Sequence, residues 1–284
     1  MASCPRWTVG ASTMREVARG RVLPADLVAR CHANALEDYR AFGRASSEGA
    51  IEEWPGALLV RTSSHAILEN AAVVTEPPED PRGLLDRARR FFLSPRRSWC
   101  VLLFPEVRER MRPILAGAGF TDEGRFPGML LRPIPSAVPP LPDGLRIEKA
   151  ETMEQLEALE HAAARAYGMA YTGPDPRWLR NPGVSLYVGY HKDEVVAHGL
   201  LVESHGVAGV GYVGTVPEWR RRGFAGALVW RIVSDGRDRN CDAAYLWTTP
   251  LGHNVYAKMG FERILDYEIW SAPGSPLPPS IRRS

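Results

Sequence analysis

Residues 214–228, Gly-Thr-Val-Pro-Glu-Trp-Arg-Arg-Arg-Gly-Phe-Ala-Gly-Ala-Leu, concentrate the groups best suited to hold an anion. A hydrophobic run ends at Val216, Pro217 stops it, and a helical pattern resumes at Ala225, Leu228 and Ile232. A strand turning this sharply into a helix leaves backbone amides pointing outward, at the positive end of the helix dipole. Gly223 lets a ligand approach the backbone, Ala225 keeps the next position small, and Arg220, Arg221 and Arg222 add charge where a diphosphate would lie. By itself this says only that an anion fits a helix N-terminus, and three arginines alone would equally describe a solvated cluster.

The spacing says more. Arg220-x-x-Gly223-x-Ala225 fits the signature of the GNAT superfamily of N-acetyltransferases: Arg or Gln, two residues, Gly, one residue, then Gly or Ala. About thirty residues later, Val255-Tyr256-Ala-Lys-Met-Gly260-Phe261 resembles the superfamily's second motif, a tyrosine four residues before Gly-Phe. The resemblance covers residues 145–271 well and residues 1–132 only as a degenerate echo. It implies a sheet splayed open after its fourth strand, with acetyl-CoA inserted as acyl donor. Gly214, Thr215 and Val216 would hold the acetyl and pantetheine through backbone groups, the Val216 amide donating to the thioester oxygen. Arg221, Arg222, Gly223, Phe224, Ala225 and Gly226 would hold the pyrophosphate. Tyr256 would protonate the departing thiolate. The reaction implied is direct attack of an amine on acetyl-CoA, without metal. The alternatives are another acyl-CoA, a thioester decarboxylase, and a non-catalytic CoA-binding regulatory module.

One departure stands out. Where the superfamily commonly has asparagine, seven residues before the tyrosine, this chain has Thr249, so no asparagine contact is carried over. Attack also needs a neutral amine, hence a base. Glu203, at a strand end, is the first candidate, and His198 the second. Gly209, Gly211 and Gly214 weaken the strand Val207–Val216, and mark either space for an acceptor or a bulge.

The elements that must position these groups follow from pattern. Arg132-Pro-Ile-Pro-Ser-Ala-Val-Pro-Pro-Leu-Pro-Asp-Gly144 can be neither helix nor central strand, and residues 133–144 read as an extended linker. Beyond it, Leu145–Lys149 alternates as a strand, and Thr152 with Gln155 forms a capping box before a helix through Tyr167. Strands follow at Val184–Tyr190, Glu194–Glu203, Val207–Val216, Ala243–Thr248 and Phe261–Ser271, with helices after Gly223 and at Gly252–Met259.

The same order recurs faintly earlier in the chain. Thr75-Glu-Pro77 precedes Thr215-Val-Pro217 by 140 residues, and Gly119-Phe120 precedes Gly260-Phe261 by 141. A helix at Leu84–Phe92, a strand at Trp99–Phe104 and a helix at Glu106–Leu115 lie between those marks. The expectation is therefore two GNAT-like α/β (α+β) domains, each a mixed, mostly antiparallel twisted sheet flanked by helices. The first, residues 1–132, is degenerate, with Leu115 where the second has Tyr256; residues 145–284 are catalytic. The first would wall the acceptor pocket, with Trp7, Trp54 and Trp99 as contributors or as core.

Composition sets the outer limits. The 284 residues carry 45% hydrophobic and 24% charged residues and a formal charge of +2, an ordinary globular balance without the basic field that nucleic acid or a membrane surface draws on. Cys4, Cys31, Cys100 and Cys241 lack metal-ligand spacing, and the N-terminus lacks a secretory pattern, which reads as a cytoplasmic protein with free thiols. The resemblance implies a small-molecule or peptide amine as acceptor.

Overall fold

A computed structural model describes residues 16–17, 21–93, 97–250 and 252–278. Trp7 and Cys4 lie outside them. In chain order the first half runs β1 (Glu16–Val17), β2 (Arg21–Val22), α1 (Ala25–Arg44), β3 (Ala50–Trp54), β4 (Ala57–Arg61), β5 (Ala71–Val74), α2 (Pro81–Leu93), β6 (Cys100–Leu103), α3 (Arg108–Gly117) and β7 (Thr121–Leu131). The second runs β8 (Leu145–Lys149), α4 (Met153–Tyr167), β9 (Val184–His191), β10 (Glu194–Ser204), β11 (Val207–Thr215), α5 (Phe224–Asp238), β12 (Ala243–Trp247), α6 (His253–Lys258) and β13 (Glu262–Ser271).

Local chemistry accounts for the ends of these elements. Thr152 and Gln155 form the expected reciprocal capping box on α4, and Gly168 closes that helix in the left-handed conformation. The β9–β10 hairpin turns at Lys192, with φ 56°. The recurrence seen in the sequence is also structural. Phe261 N donates to Tyr256 O at 3.1 Å, and Phe120 N donates to Leu115 O at 3.0 Å, so both Gly-Phe pairs leave their helices in the same way.

The halves do not form separate sheets. Eleven strands make one sheet in the order β3-β4-β5-β6-β13-β7-β12-β11-β10-β9-β8, antiparallel except at β5–β6 and β11–β12. β13 from the second half pairs with β6 of the first, β7 from the first pairs with β12 of the second, and β7 and β13 pair with each other. Each half thus supplies the strand that borders the other. At this seam the buried hydroxyls of Tyr245 and Tyr267 satisfy one another at 2.7 Å.

Helix α1 extends the interlock. It turns Leu27, Cys31, Ala35 and Tyr39 into a core shared with β4, β5, β11 and β12. Asn34, buried, donates its amide to Val202 O at 2.9 Å and Val207 O at 3.3 Å, which ties α1 to β10 and β11. Gly209 makes this approach possible, because a Cβ there would collide with the Asn34 carboxamide. Among the described residues no helix is long and apolar enough to cross a membrane.

Candidate active site

The sheet opens where β11 leaves β12. The two pair in parallel only from Val207 to Gly209, opposite Ala243 to Tyr245, and β11 continues to Thr215 without that neighbour. On its other edge β11 stays on β10, but with an extra residue: His198 pairs with Gly214 and Leu200 with Gly211. This bulge holds Tyr212 at φ 51° and re-aims its side chain. In the first half, β5 pairs with β6 along all four of its residues, and no such opening forms.

Amide directions in the open strand correct one expectation. Val216 N donates to Val196 O at 2.9 Å, so its hydrogen points into the sheet and not toward a thioester. Successive amides of an extended chain face opposite edges, which puts the Thr215 amide on the open one. Thr215 O lies on that side too, where the Arg220 side chain reaches it at 3.2 Å. Gly214 is also fixed as a glycine by its neighbour, since a Cβ there would strike the imidazole of His198.

The loop beyond β11 turns sharply into α5. After a turn at Pro217–Trp219, Arg221 takes φ 63° and Gly223 φ 81°, and α5 starts at Phe224 with no side chain capping it. Ala227 N makes the first helical bond, to Gly223 O at 3.0 Å, so Phe224, Ala225 and Gly226 contribute the outward amides of the first turn. A Cβ on Gly226 would meet nothing closer than Met259 Sδ at 4.0 Å, which leaves room for an anion. Arg221 and Arg222 are exposed, with Arg222 lying over the Trp219 ring at 4.5 Å. Arg220 instead braces the loop, donating to Ala166 O at 2.7 Å. Phe224 is buried and stacked against His191, so only its backbone is available.

The matching loop of the first half has the opposite sign. Glu76, Glu79 and Asp80 stand between β5 and α2, and Asp80 Oδ1 accepts from Gly83 N at 2.9 Å. A carboxylate of the chain itself occupies that helix N-terminus.

The catalytic candidates separate. Tyr256, half-buried on α6, packs against the core around α5 and sets its ring edge-on to Phe261 at 6.0 Å. Burial pushes its hydroxyl up to about 12, so it stays protonated near neutrality, and it lies within electrostatic reach of Tyr167. Glu203 is not brought to this place. It sits at the far end of β10, opposite Ala208, and pairs with Arg239 at 3.2 Å. Six residues of strand, roughly 20 Å, separate Ala208 from Gly214, so Glu203 is a bracing residue. His198 is at the site, edge-on to Tyr167 at 5.4 Å and Tyr212 at 4.9 Å. Burial lowers it to about 3, which leaves the ring neutral and too weak a base to hold a proton at pH 7.

A carboxylate that sequence reasoning passed over is better placed. Glu160 on α4 accepts from the Tyr212 hydroxyl at 3.0 Å, and burial raises it to about 7, where a base both accepts and releases protons. It lines a cavity of about 240 Å³ bounded by α4, the Met169–Asp175 loop, Tyr212 and, from the first half, Phe42 and the segment Thr62–Glu69. The first half therefore does wall a pocket, but not with the expected tryptophans. Trp99 stacks on Phe92 at 4.6 Å and Trp54 lies under Arg87, both in the core around α2 and α3. Among the described residues, no cluster of histidine, cysteine and carboxylate side chains has the makings of a metal site.

Residues 150–261 match the model of the acetyltransferase (GNAT) family. A GCN5-related N-acetyltransferase from Kribbella flavida superposes with a TM-score of 0.63 at 20% identity, covering 88% of this chain and 96% of that one. A second, from Sphaerobacter thermophilus, gives 0.54 at 18%, covering 87% and 90%. A tandem GNAT protein from the clavulanic acid biosynthesis pathway gives 0.54 at 14%, covering 85% and 87%. At these identities the likeness is one of fold, and it spans both halves. No curated protein matches the sequence.

Proposed function

We propose that this chain, whose residues 150–261 match the model of the acetyltransferase (GNAT) family, is an acetyl-CoA-dependent N-acetyltransferase acting on a primary amine by direct attack. One observation carries the reading: the open edge of β11 joins an uncapped, arginine-flanked helix N-terminus to an acid-lined cavity. The first feature suits the diphosphate of a coenzyme, the second an amine, and the edge between them suits the acyl group.

The residues divide the work. Acetyl-CoA supplies an activated acyl carbon on a thiol leaving group. The amides of Arg221 to Gly226, with the Arg221 and Arg222 charges, hold its diphosphate, and Gly214 and Thr215 position its thioester end. An amide of the Tyr212–Thr215 segment on the open edge takes the role first given to Val216, meeting charge that develops on the carbonyl oxygen. Glu160 accepts a proton from the acceptor, freeing the nitrogen lone pair. The N–C bond forms and the C–S bond breaks; the nitrogen releases its second proton to solvent, and the departing sulfur takes a proton from Tyr256, which regains one from solvent as Glu160 gives up its own. Residues 145–284 form the catalytic half, residues 133–144 the linker, and residues 1–132 a degenerate half whose own helix N-terminus Asp80 has filled.

The test is calorimetric titration with acetyl-CoA and CoA, beside an Arg222→Glu, Gly223→Asp double variant, followed by thiol release with an amine panel. Micromolar binding lost in the variant, with amine-dependent thiol release, is the expected result. Binding without release on any amine would favour a non-catalytic CoA-binding module; no binding by folded protein would overturn the proposal.

A further inference from the structure

The acceptor cavity is built from both halves, and its charges are unbalanced. Glu160 of α4 faces it from the second half and Glu69, ending the turn Ile67–Glu69, from the first. The two feel each other's charge, and Asp38 on α1 lies within electrostatic reach of Glu69. Burial holds all three at about 7 against ordinary values near 4. No lysine or arginine stands among the described residues lining the cavity, the one imidazole on its wall, that of His65, is exposed, and Asp175, also on the wall, is already paired with Arg177. Four aromatic side chains, Phe42, Trp178, Tyr171 and Tyr212, share its wall with small polar and aliphatic residues, Phe42 standing edge-on to Trp178 at 5.0 Å.

A cavity with this lining stabilises positive charge twice over, through carboxylates and through ring faces. One carboxylate suffices for the base of the reaction proposed above. Glu69 is thereby left without a part in the chemistry, and a carboxylate raised by burial is a standing cost that a cation would relieve.

Resting on the acetyltransferase reading, we infer that the acceptor is a small dicationic amine, with one amino group delivered to Glu160 and a second cationic group held by Glu69. The degenerate half thus contributes a specificity residue to the active site of the other. Tyr212 and Ser64 orient the two carboxyl groups through their hydroxyls, and the aromatic walls admit the methylene chain between the charges.

The experiment compares α,ω-diaminoalkanes, putrescine and cadaverine among them, with alkylamines of the same length, in wild type, Glu69→Gln and Glu69→Asp. Wild type should favour the diamine by at least about tenfold in kcat/KM, the scale of one desolvated charge pair. The preference should sit in KM, collapse toward parity in Glu69→Gln, and partly return in Glu69→Asp. Equal use of both amines by wild type, or a preference that survives Glu69→Gln, overturns the inference and leaves the acetyltransferase reading standing. If no amine is acetylated, calorimetric titration with putrescine in the presence of CoA decides: binding that depends on Glu69 keeps the dicationic site while acetyl transfer falls, and absence of binding removes both. Melting curves of each variant exclude misfolding as the cause.

Discussion

Tyr212 donates its hydroxyl to Glu160 at 3.0 Å from the bulged residue of β11, whose backbone sits at φ 51°. One irregularity in a strand thus does two things. It gives β11 one residue more than β10 over this stretch, and it swings a phenol onto a carboxylate of α4 that lines the cavity between the halves. The strand that would receive the coenzyme and the helix that would carry the base are coupled through one side chain.

The rate should follow the ionisation of Glu160. With a base at about 7, kcat/KM rises with pH through that value. Glu160→Gln should lower kcat by roughly 10²-fold or more without changing acetyl-CoA affinity. Glu203→Gln, at the far end of β10, should leave the rate near wild type. The Tyr212 hydrogen bond lowers the Glu160 value against burial, so Tyr212→Phe should move the ascending limb to higher pH. A limb that stays in place in Tyr212→Phe, or survives in Glu160→Gln, assigns the base elsewhere.

The same acids should cost stability. Asp38, Glu69 and Glu160 have folded values raised above their unfolded ones by burial. Between the unfolded and folded values the native state holds more protons than the unfolded chain, so stability falls as pH rises from about 4 to 7. Glu69→Gln and Glu160→Gln should therefore melt at least ~2 °C above wild type at pH 8. The gap should close near pH 4, which thermal melts across that range would show.

How much of this was legible depended on whether a residue's role was local. The capping box of Thr152 and Gln155, the loop from Pro217 to Gly223 and the Gly-Phe pairs are written in contiguous residues, and the structure carries each of them. The exchange of β7 and β13 is not local. Either strand reads identically whichever neighbour it joins, because pairing between buried strands needs only matching apolar faces. Glu160 was hidden for a related reason: with Glu154 and Glu157 it looks like one of several solvent-facing glutamates on an amphipathic helix. Only the bulge at Tyr212 and the wall from the first half distinguish it. Val216 failed as amide donor because strand parity, set by β10, is invisible in a motif.

Tyr256→Phe should separate binding from turnover. The ring packs as before, so affinity for CoA should hold within about twofold, while loss of the hydroxyl removes the proton donor and lowers kcat roughly 10²-fold. Normal turnover in this variant would pass the role of acid to another group near Tyr167.

Coenzyme should bind once per chain. The first half repeats the order of elements, but its β5–β6 pairing is closed and Asp80 fills the N-terminus of α2. Calorimetry should give a stoichiometry near one, and Asp80→Asn should not raise it. A second equivalent of acetyl-CoA bound to wild type would show that the degenerate half keeps a site.

Gly214 and His198 offer the sharpest structural test of the open strand. The backbone of Gly214 pairs with His198, and a Cβ at 214 would collide with the imidazole and stand 3.1 Å from Ala166 Cβ. The ring has no space to yield, being buried between Tyr167 and Tyr212. Gly214→Ala alone should therefore destabilise the fold by about 2 kcal/mol, within the range for overpacking, and should depress turnover by displacing Tyr212 from Glu160. His198→Ala removes the obstacle at the cost of a cavity. Adding Gly214→Ala to that background should cost little, so the two substitutions should couple by ~1 kcal/mol or more in a double-mutant cycle. Additive effects would mean that Gly214 serves the ligand-facing edge and not the histidine, and the crowding argument for this glycine would fail.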